Sequence, residues 1–265
     1  MTLTVAFAFN DAVLLCADQR RSSALSHTFE ANVSKIHTFG PRAALMIGGL
    51  APITGTVLAR LRETIAGDVD LDTLAQGARN HGKIIYDEMI QTMAPHPFDY
   101  RRAEFTVAGF DAHGQPGIRQ IGLHDGAYVA YGVGRMAAAG APEVGASAVA
   151  DANAVLGNPG PVFADELAHY VISRAALRLP SQVGLPADAV LLTSSGTFKR
   201  TMPEAELSEV QPMFQLTSVG SGFAHTPLVS TASRAASPRA GSLRNRPLSY
   251  EFETNGLRAA SLPKQ

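Results

Sequence analysis

The second residue of the chain, Thr2, combines two groups that could act together in catalysis. A small residue at this position normally allows removal of the initiator Met1, so we expect the mature chain to begin with Thr2. An α-amine has a pKa of about 7.7 to 8.0 and can accept the proton of the neighbouring hydroxyl near neutral pH. Thr2 would then supply both nucleophile and base. Because many chains begin with Met-Thr, this hypothesis depends on the residues around it.

An acid is predicted to lie close to Thr2. Residues 2–9 alternate in the manner of a half-buried strand, and the turn signal Asn10-Asp11 is followed by an apolar return strand that leads to Asp18. A three-residue loop would place Asp18 opposite Thr2, whereas a two-residue turn shifts the register by one. Either register brings a carboxylate near the terminal threonine.

Lysine is rare in this chain, with four Lys against 18 Arg. Lys35 belongs to the next predicted strand pair. Its ammonium is a compact charge that can lower the pKa of a nearby amine or assist proton transfer. We therefore assign a chemical task to Lys35 and interpret Lys83, Lys199 and Lys264 as surface charges.

The pair Gly48-Gly49 ends a predicted strand and precedes a predicted helix. Backbone N–H groups without neighbouring side chains can approach a substrate and stabilise an oxyanion. A simple break between strand and helix is the alternative interpretation.

The elements that must position these residues follow one another in blocks. Apolar alternation and helical spacing predict four strands, two helices, three strands, two helices and then further strands. This order favours two antiparallel sheets stacked face to face with helix pairs outside, not a doubly wound fold. Dinucleotide-binding, Walker and nucleophile-elbow motifs do not occur in the sequence. The predicted helices cover 50–65, 71–89, 135–156 and 163–177, and the predicted strands cover 2–9, 13–17, 33–39, 43–47, 105–110, 118–123, 128–132, 189–193 and 198–202.

Four short motifs follow one another along the chain. They are Thr2-Leu3-Thr4-Val5, Cys16-Ala17-Asp18-Gln19-Arg20, Ser34-Lys35-Ile36 and Met46-Ile47-Gly48-Gly49. In this order they resemble the proteasome β-subunit family of N-terminal nucleophile (Ntn) hydrolases, which includes the Anbu group. The resemblance covers roughly residues 2–202. It implies an α+β fold, a four-layer αββα sandwich, with catalysis at one end of the cleft and assembly into homo-oligomeric rings.

The resemblance also implies a role for each matching residue. Thr2 would be the nucleophile and, through its amine, the base. Asp18 and Lys35 would form the supporting ion pair, and the N–H of Gly48 would stabilise the oxyanion. The residues at the substrate-binding positions are Arg20, Met46, Gly49 and Leu50. Of these, Met46 and Leu50 fall where the family lines its primary specificity pocket, which suggests a preference for an apolar residue before the scissile bond.

The predicted function is therefore that of a threonine peptidase acting on peptides or unfolded proteins. An ATP-dependent unfoldase is a candidate partner, and no cofactor or metal is predicted. Two departures from the family pattern support an alternative, a weakly active or inactive ring or scaffold subunit. The family's Gly-Ser-Gly aligns with Gly132-Val133-Gly134, and Leu179 in 178–182 stands where many members have an aspartate. An amidase for small substrates is a third hypothesis.

Composition limits the other classes. Charges nearly balance, at 22 basic and 23 acidic residues, which disfavours nucleic acid and acidic membranes as partners. The single Cys16 excludes disulfide scaffolds and zinc sites built on paired thiolates. No run of apolar residues is long enough for a membrane span, and the start of the chain has no export signal, so we expect a cytoplasmic protein.

The chain is predicted to have two parts, a domain over 1–225 and a tail over 226–265. The tail holds six Ser, six Ala and four Pro, and its six basic and two acidic residues give it a net charge of +4. Such a composition cannot bury enough apolar surface to offset the entropy of ordering, so we predict a disordered tail. The alternating stretch 248–254 could instead pair with a sheet edge.

Overall fold

The computed structural model describes residues 3–22, 29–30, 32–92, 102–140, 142–156, 162–202, 214–219, 222–227 and 258–259. The described residues contain sixteen strands and four helices. In chain order these are β1 (Thr4–Ala8), β2 (Ala12–Asp18), β3 (Arg21–Ser22), β4 (Phe29–Glu30), β5 (Ile36–Phe39), β6 (Ala43–Gly49), α1 (Ala51–Thr64), α2 (Leu71–Thr92), β7 (Ala103–Phe110), β8 (Pro116–Gly122), β9 (Tyr128–Tyr131), β10 (Arg135–Ala139), α3 (Pro142–Leu156), β11 (Val162–Phe163), α4 (Ala164–Arg178), β12 (Ala187–Thr193), β13 (Gly196–Met202), β14 (Phe214–Val219), β15 (Gly222–Pro227) and β16 (Arg258–Ala259).

Two sheets form the centre of the molecule. The first has the order β13-β12-β2-β1-β10-β16 and is antiparallel except for the two-residue pairing of β16 with β10. The second has the order β5-β6-β7-β8-β9 and is antiparallel throughout. Because side chains alternate along a strand, each central strand contributes to two apolar layers.

Strand β2 shows how the layers are built. Leu14 and Cys16 face the layer shared with α3 and α4, whereas Val13, Leu15 and Ala17 face the layer between the two sheets. A third layer lies between the five-stranded sheet and helices α1 and α2. The molecule is therefore a four-layer αββα sandwich of the α+β class, as predicted.

The first hairpin adopts the two-residue turn. The Phe9 N–H donates to the Ala12 carbonyl at 2.8 Å, and Thr4 pairs with Ala17. Of the two registers that the sequence allowed, this one brings Asp18 next to Leu3.

The helix predicted over 135–156 is wrong at its beginning. Its first five residues form β10, which pairs with β1 along its whole length, and the helix begins only at Pro142. Alanine favours a helix by only a few tenths of a kcal/mol per residue over most residue types, so the paired strand outweighs this preference. The strand also buries Met136 and Ala137, whose side chains lie on opposite faces of the sheet. A helix in the outer layer would not place side chains on both faces of a sheet.

Several strands had no counterpart in the prediction. The short strands β3 and β4 pair with each other, and β14, β15 and β11 form a three-stranded sheet. Of the predicted tail over 226–265, the structure describes only 226–227, at the end of β15, and 258–259. The alternating stretch 248–254 lies outside the described residues, and the disordered tail stays a prediction. None of the helices in the described part of the chain combines the length and the apolar character needed to cross a membrane.

Candidate active site

A buried ion pair connects the two sheets at one end of the sandwich. The Lys35 Nζ lies 2.8 Å from Oδ1 of Asp18, and the two side chains are 4% and 0% exposed. The same ammonium donates to the Arg20 carbonyl at 2.6 Å. Asp18 is the last residue of β2 in the first sheet, and Lys35 immediately precedes β5 in the second. The structure therefore brings together two of the predicted catalytic residues.

Burial and charge act in opposite directions on this pair. Burial raises the pKa of the Asp18 carboxyl and lowers the pKa of the Lys35 ammonium, and the charge of each partner opposes the shift. Backbone N–H groups of Leu3 and Arg20 also favour the ionised form of Asp18, because a carboxylate accepts their hydrogen bonds.

Asp18 also holds the start of the chain. The Leu3 N–H donates to Oδ1 of Asp18 at 2.9 Å, and the Asp18 N–H donates to the Leu3 carbonyl at 3.3 Å. Thr2 itself lies outside the described residues. A peptide bond joins it to the Leu3 nitrogen, so the residue directly after the proposed nucleophile is anchored on the carboxylate that binds Lys35.

The glycine pair lies at the end of β6, in the second sheet. Gly48 is buried and pairs with Glu104 of β7. Gly49 has a φ of +84°, and a Cβ at this position would lie 2.1 Å from the Arg102 carbonyl oxygen. The Leu50 N–H donates to that same carbonyl at 2.8 Å. Only glycine permits this turn between strand and helix.

The predicted specificity residues lie in different layers. Met46 is 1% exposed and packs between the two sheets. Leu50 is half-buried and packs against the layer formed by α1 and α2. Their shared role in lining a pocket stays a prediction.

Arg20 contacts the loop that follows α4. Its Nη1 donates to the Pro180 carbonyl at 2.5 Å. A Cβ on Gly184 would lie 2.6 Å from Cζ of Arg20, so the guanidinium is packed against the backbone there. The residue that was predicted to bind substrate therefore has partners within the protein, and a contact with substrate stays a prediction.

The proposed alignment of Gly132-Val133-Gly134 with the family's Gly-Ser-Gly is wrong. The Gly134 N–H donates to the Ala8 carbonyl at 2.8 Å, and Ala8 ends β1 at the side remote from Thr2. Five strand residues span about 13 to 17 Å, so this turn cannot reach the terminal amine. At the correct end of β10, Ala139 pairs with Thr4 and is followed by Gly140, and neither carries a hydroxyl.

The sequence interpretation missed Glu104, which lies beside Gly48. A Cβ added to Gly48 would meet Cγ and Oε1 of Glu104 at 3.1 and 3.2 Å. Burial raises the pKa of the Glu104 carboxyl, and the charge of Arg102 and the N–H of Gly140 oppose this shift. Helices α1 and α2 separate residues 48 and 104 along the chain, so only the pairing of β6 with β7 could have revealed this neighbour.

The described residues of the site provide a buried ammonium, a carboxylate and closely packed backbone groups. This set suits the control of proton affinity at a nearby amine. Over the described ranges, no group of three or more His, Cys, Asp or Glu side chains is placed to hold a metal ion.

Comparison with known proteins identifies the fold. No protein-family model and no curated protein sequence matches the chain. The structure is similar to that of an Anbu mutant from Hyphomicrobium sp. strain MC1, with a TM-score of 0.59 and 15% sequence identity. The match covers 77% of this chain and 88% of the Anbu chain. This likeness confirms the four-layer αββα fold that the resemblance of the four motifs implied.

Proposed function

We propose that the chain is a threonine-type peptidase that hydrolyses peptide bonds with Thr2, after Met1 has been removed. The observation that carries the proposal is the buried ion pair of Asp18 and Lys35, to which the Leu3 N–H is attached. Burying a charged pair costs desolvation free energy that an apolar pair would not. The buried ammonium next to the start of the chain has a clear use if the terminal amine must stay neutral near pH 7.

The proposed reaction proceeds by acyl transfer. The Thr2 amine accepts the hydroxyl proton while the hydroxyl oxygen attacks the substrate carbonyl carbon. The N–H of Gly48 stabilises the resulting oxyanion, and the protonated amine then donates its proton to the leaving amine. A water molecule, deprotonated by the same amine, hydrolyses the ester and regenerates Thr2.

Lys35 and Asp18 act through electrostatics and position. A positive charge near the Thr2 amine lowers the pKa of that amine and so favours its neutral, basic form. Asp18 orients the ammonium at 2.8 Å and holds the Leu3 N–H at 2.9 Å. Together they place the nucleophile and tune its base.

The test combines intact mass with peptide hydrolysis. We expect the purified chain to have the mass of residues 2–265 and to cleave short peptides. Thr2→Ala should abolish cleavage, and Thr2→Ser should retain part of it because the hydroxyl is kept. Equal rates in the wild type and Thr2→Ala would overturn the proposal.

A second candidate function is that of an inactive scaffold subunit with the same fold. It is favoured by Ala139, the last residue of β10, and by Gly140 after it, because neither provides a hydroxyl at the end of the sheet near Leu3. A native chain that retains Met1, together with no cleavage of any peptide, would support this candidate over the first.

Assembly, partners and location are further parts of the proposal. Peptides or unfolded proteins are the proposed substrates, a homo-oligomeric ring is the proposed assembly, and an ATP-dependent unfoldase is a candidate partner. The proposed location is the cytoplasm. Light scattering of the purified full chain should give the mass of a closed oligomer, and a monomer would contradict the ring.

A further inference from the structure

Glu104 links the two sheets at the proposed active site. It lies on β7 opposite Gly48, and its Oε1 is 3.2 Å from the position that a Cβ on Gly48 would take. The side chain is 18% exposed, which places it at the rim of the layer between the sheets and not deep within it. A larger residue at position 48 would displace this carboxyl group.

The carboxyl group of Glu104 reaches across to the other sheet. It interacts with the N–H of Gly140, the residue that follows β10. Arg102 contacts the same residue, since its Nη1 donates to the Gly140 carbonyl at 3.4 Å. Two side chains from the start of β7 thus hold both polar backbone groups of Gly140.

Gly140 in turn follows the strand that supports the start of the chain. Ala139 pairs with Thr4 in the ladder between β10 and β1, and Thr4 is two residues from Thr2. The first sheet therefore carries Thr4, two residues after Thr2 in the sequence, and the second carries Gly48. Nucleophile and oxyanion donor must each lie about 3 Å from the reacting carbonyl group, so their separation has to be fixed.

We propose that Glu104 is a positioning residue for the reaction, holding Gly48 and, through Gly140, strand β1 at the separation that catalysis requires. This inference rests on the proposed function. Glu104 acts through backbone groups, without touching the reacting atoms. The ion pair of Asp18 and Lys35 is a separate connection between the sheets.

The ionisation of Glu104 adds a pH dependence to this role. The groups that face its carboxyl are the Arg102 guanidinium 4.0 Å away, Asp125 after β8 and the uncharged backbone of Gly48 and Gly140. Burial raises the pKa of Glu104, so the neutral acid persists to a higher pH than in water. An ionised carboxylate beside the oxyanion donor would oppose the negative charge of the intermediate, whereas a neutral carboxyl would not.

Substituting Glu104 by glutamine or by alanine separates its positioning effect from its effect on the pH dependence. Glu104→Gln keeps an acceptor for the Gly140 N–H and stays neutral at every pH. Glu104→Ala removes the acceptor. Glu63→Gln is the matched control, because Glu63 is an exposed acid of α1 that pairs with Arg60.

The experiment measures peptide hydrolysis against pH and amide hydrogen exchange at residues 138–140. We expect Glu104→Ala to lower kcat about ten- to a hundredfold and to accelerate exchange at Gly140, with exchange in α1 unchanged. Glu104→Gln should keep the exchange rate of the wild type, keep kcat at low pH, and lack the decline of kcat that the wild type shows as Glu104 ionises. Glu63→Gln should behave as the wild type does.

Two results would overturn the inference. The first is that amide exchange at Gly140 is the same in Glu104→Ala as in the wild type. The second is that Glu104→Ala keeps the wild-type kcat, in a protein whose activity is shown to depend on Thr2. These results would leave the proposed function standing. A wild type that cleaves no peptide would instead overturn the proposed function and, with it, this role of Glu104.

Discussion

The Lys35 ammonium and the Asp18 carboxylate join the two halves of the sandwich through a contact of 2.8 Å between Nζ and Oδ1. Asp18 ends a strand of the first sheet and Lys35 precedes a strand of the second. Both side chains are buried, so each charge depends on the other and on backbone groups of Leu3 and Arg20 for stabilisation.

Removing one partner of this pair should be strongly destabilising. Lys35→Met leaves the Asp18 carboxyl buried without its cation, and we expect the free energy of unfolding to fall by about 3 to 5 kcal/mol. The double variant Asp18→Asn with Lys35→Met should lose less than the sum of the two single variants, because it buries no isolated charge. Urea denaturation of the four proteins measures the coupling.

The control for this prediction is Lys83→Met. Lys83 pairs with Asp87 on the exposed face of α2, and such surface pairs contribute about 0 to 1 kcal/mol. A loss at Lys83 as large as that at Lys35 would contradict the distinction between the two pairs.

Replacing Lys35 with arginine should not preserve the peptidase activity. The ammonium fits between Oδ1 of Asp18 and the Arg20 carbonyl, at 2.8 and 2.6 Å. A planar guanidinium is larger and spreads its charge, so it cannot reproduce this compact contact in a closed space. We expect Lys35→Arg to lower the rate of peptide hydrolysis at least tenfold, and wild-type rates in this variant would show that only the charge matters.

Gly49 should tolerate no side chain. With a φ of +84° and the Arg102 carbonyl oxygen only 2.1 Å from the Cβ position, Gly49→Ala should lower the melting temperature and disturb the end of β6. Gly55→Ala is the matched control, because nothing lies within 4 Å of its Cβ position in α1. That change should stabilise the protein by about 0.5 to 1 kcal/mol. Equal shifts in both variants would contradict the prediction.

His37 should make stability depend on pH. Burial and the charges of Arg62 and Lys199 lower the pKa of His37 to about 4, although Asp188 opposes them. An unfolded histidine has a pKa of about 6.5, so the unfolded chain binds the proton more tightly. The contribution of His37 to stability is therefore complete above pH 6.5 and is lost as the pH falls towards 4.

The measurement is the free energy of unfolding at pH 7 and pH 5. We expect the wild type to lose more stability over this interval than His37→Gln does. His113→Gln, at an exposed turn, should keep the wild-type dependence. If His37→Gln loses as much stability as the wild type between the two pH values, another group is responsible.

Local patterns in the sequence were sufficient for most of the elements. The alternation of residues 2–9 predicted β1, and helical spacing predicted α1, α2 and α4 to within a few residues. The pairing of Asp18 with Lys35 was implied by the family resemblance of the short motifs that contain them. These features depend on residues close together in the chain.

Register, strand partners and the neighbours of the site were decided by tertiary structure. The sequence left two registers open for Asp18, and the two-residue turn at Asn10-Asp11 selected one. Residues 135–139 contain three alanines and form a strand only because β1 offers a ladder for them. Glu104 becomes part of the site because β7 pairs with β6 after two intervening helices. The side-chain pattern of a segment determines whether it can form a helix or a strand. Pairing between segments that are distant in the sequence determines which functional groups meet, because local periodicity does not specify the partner of a strand.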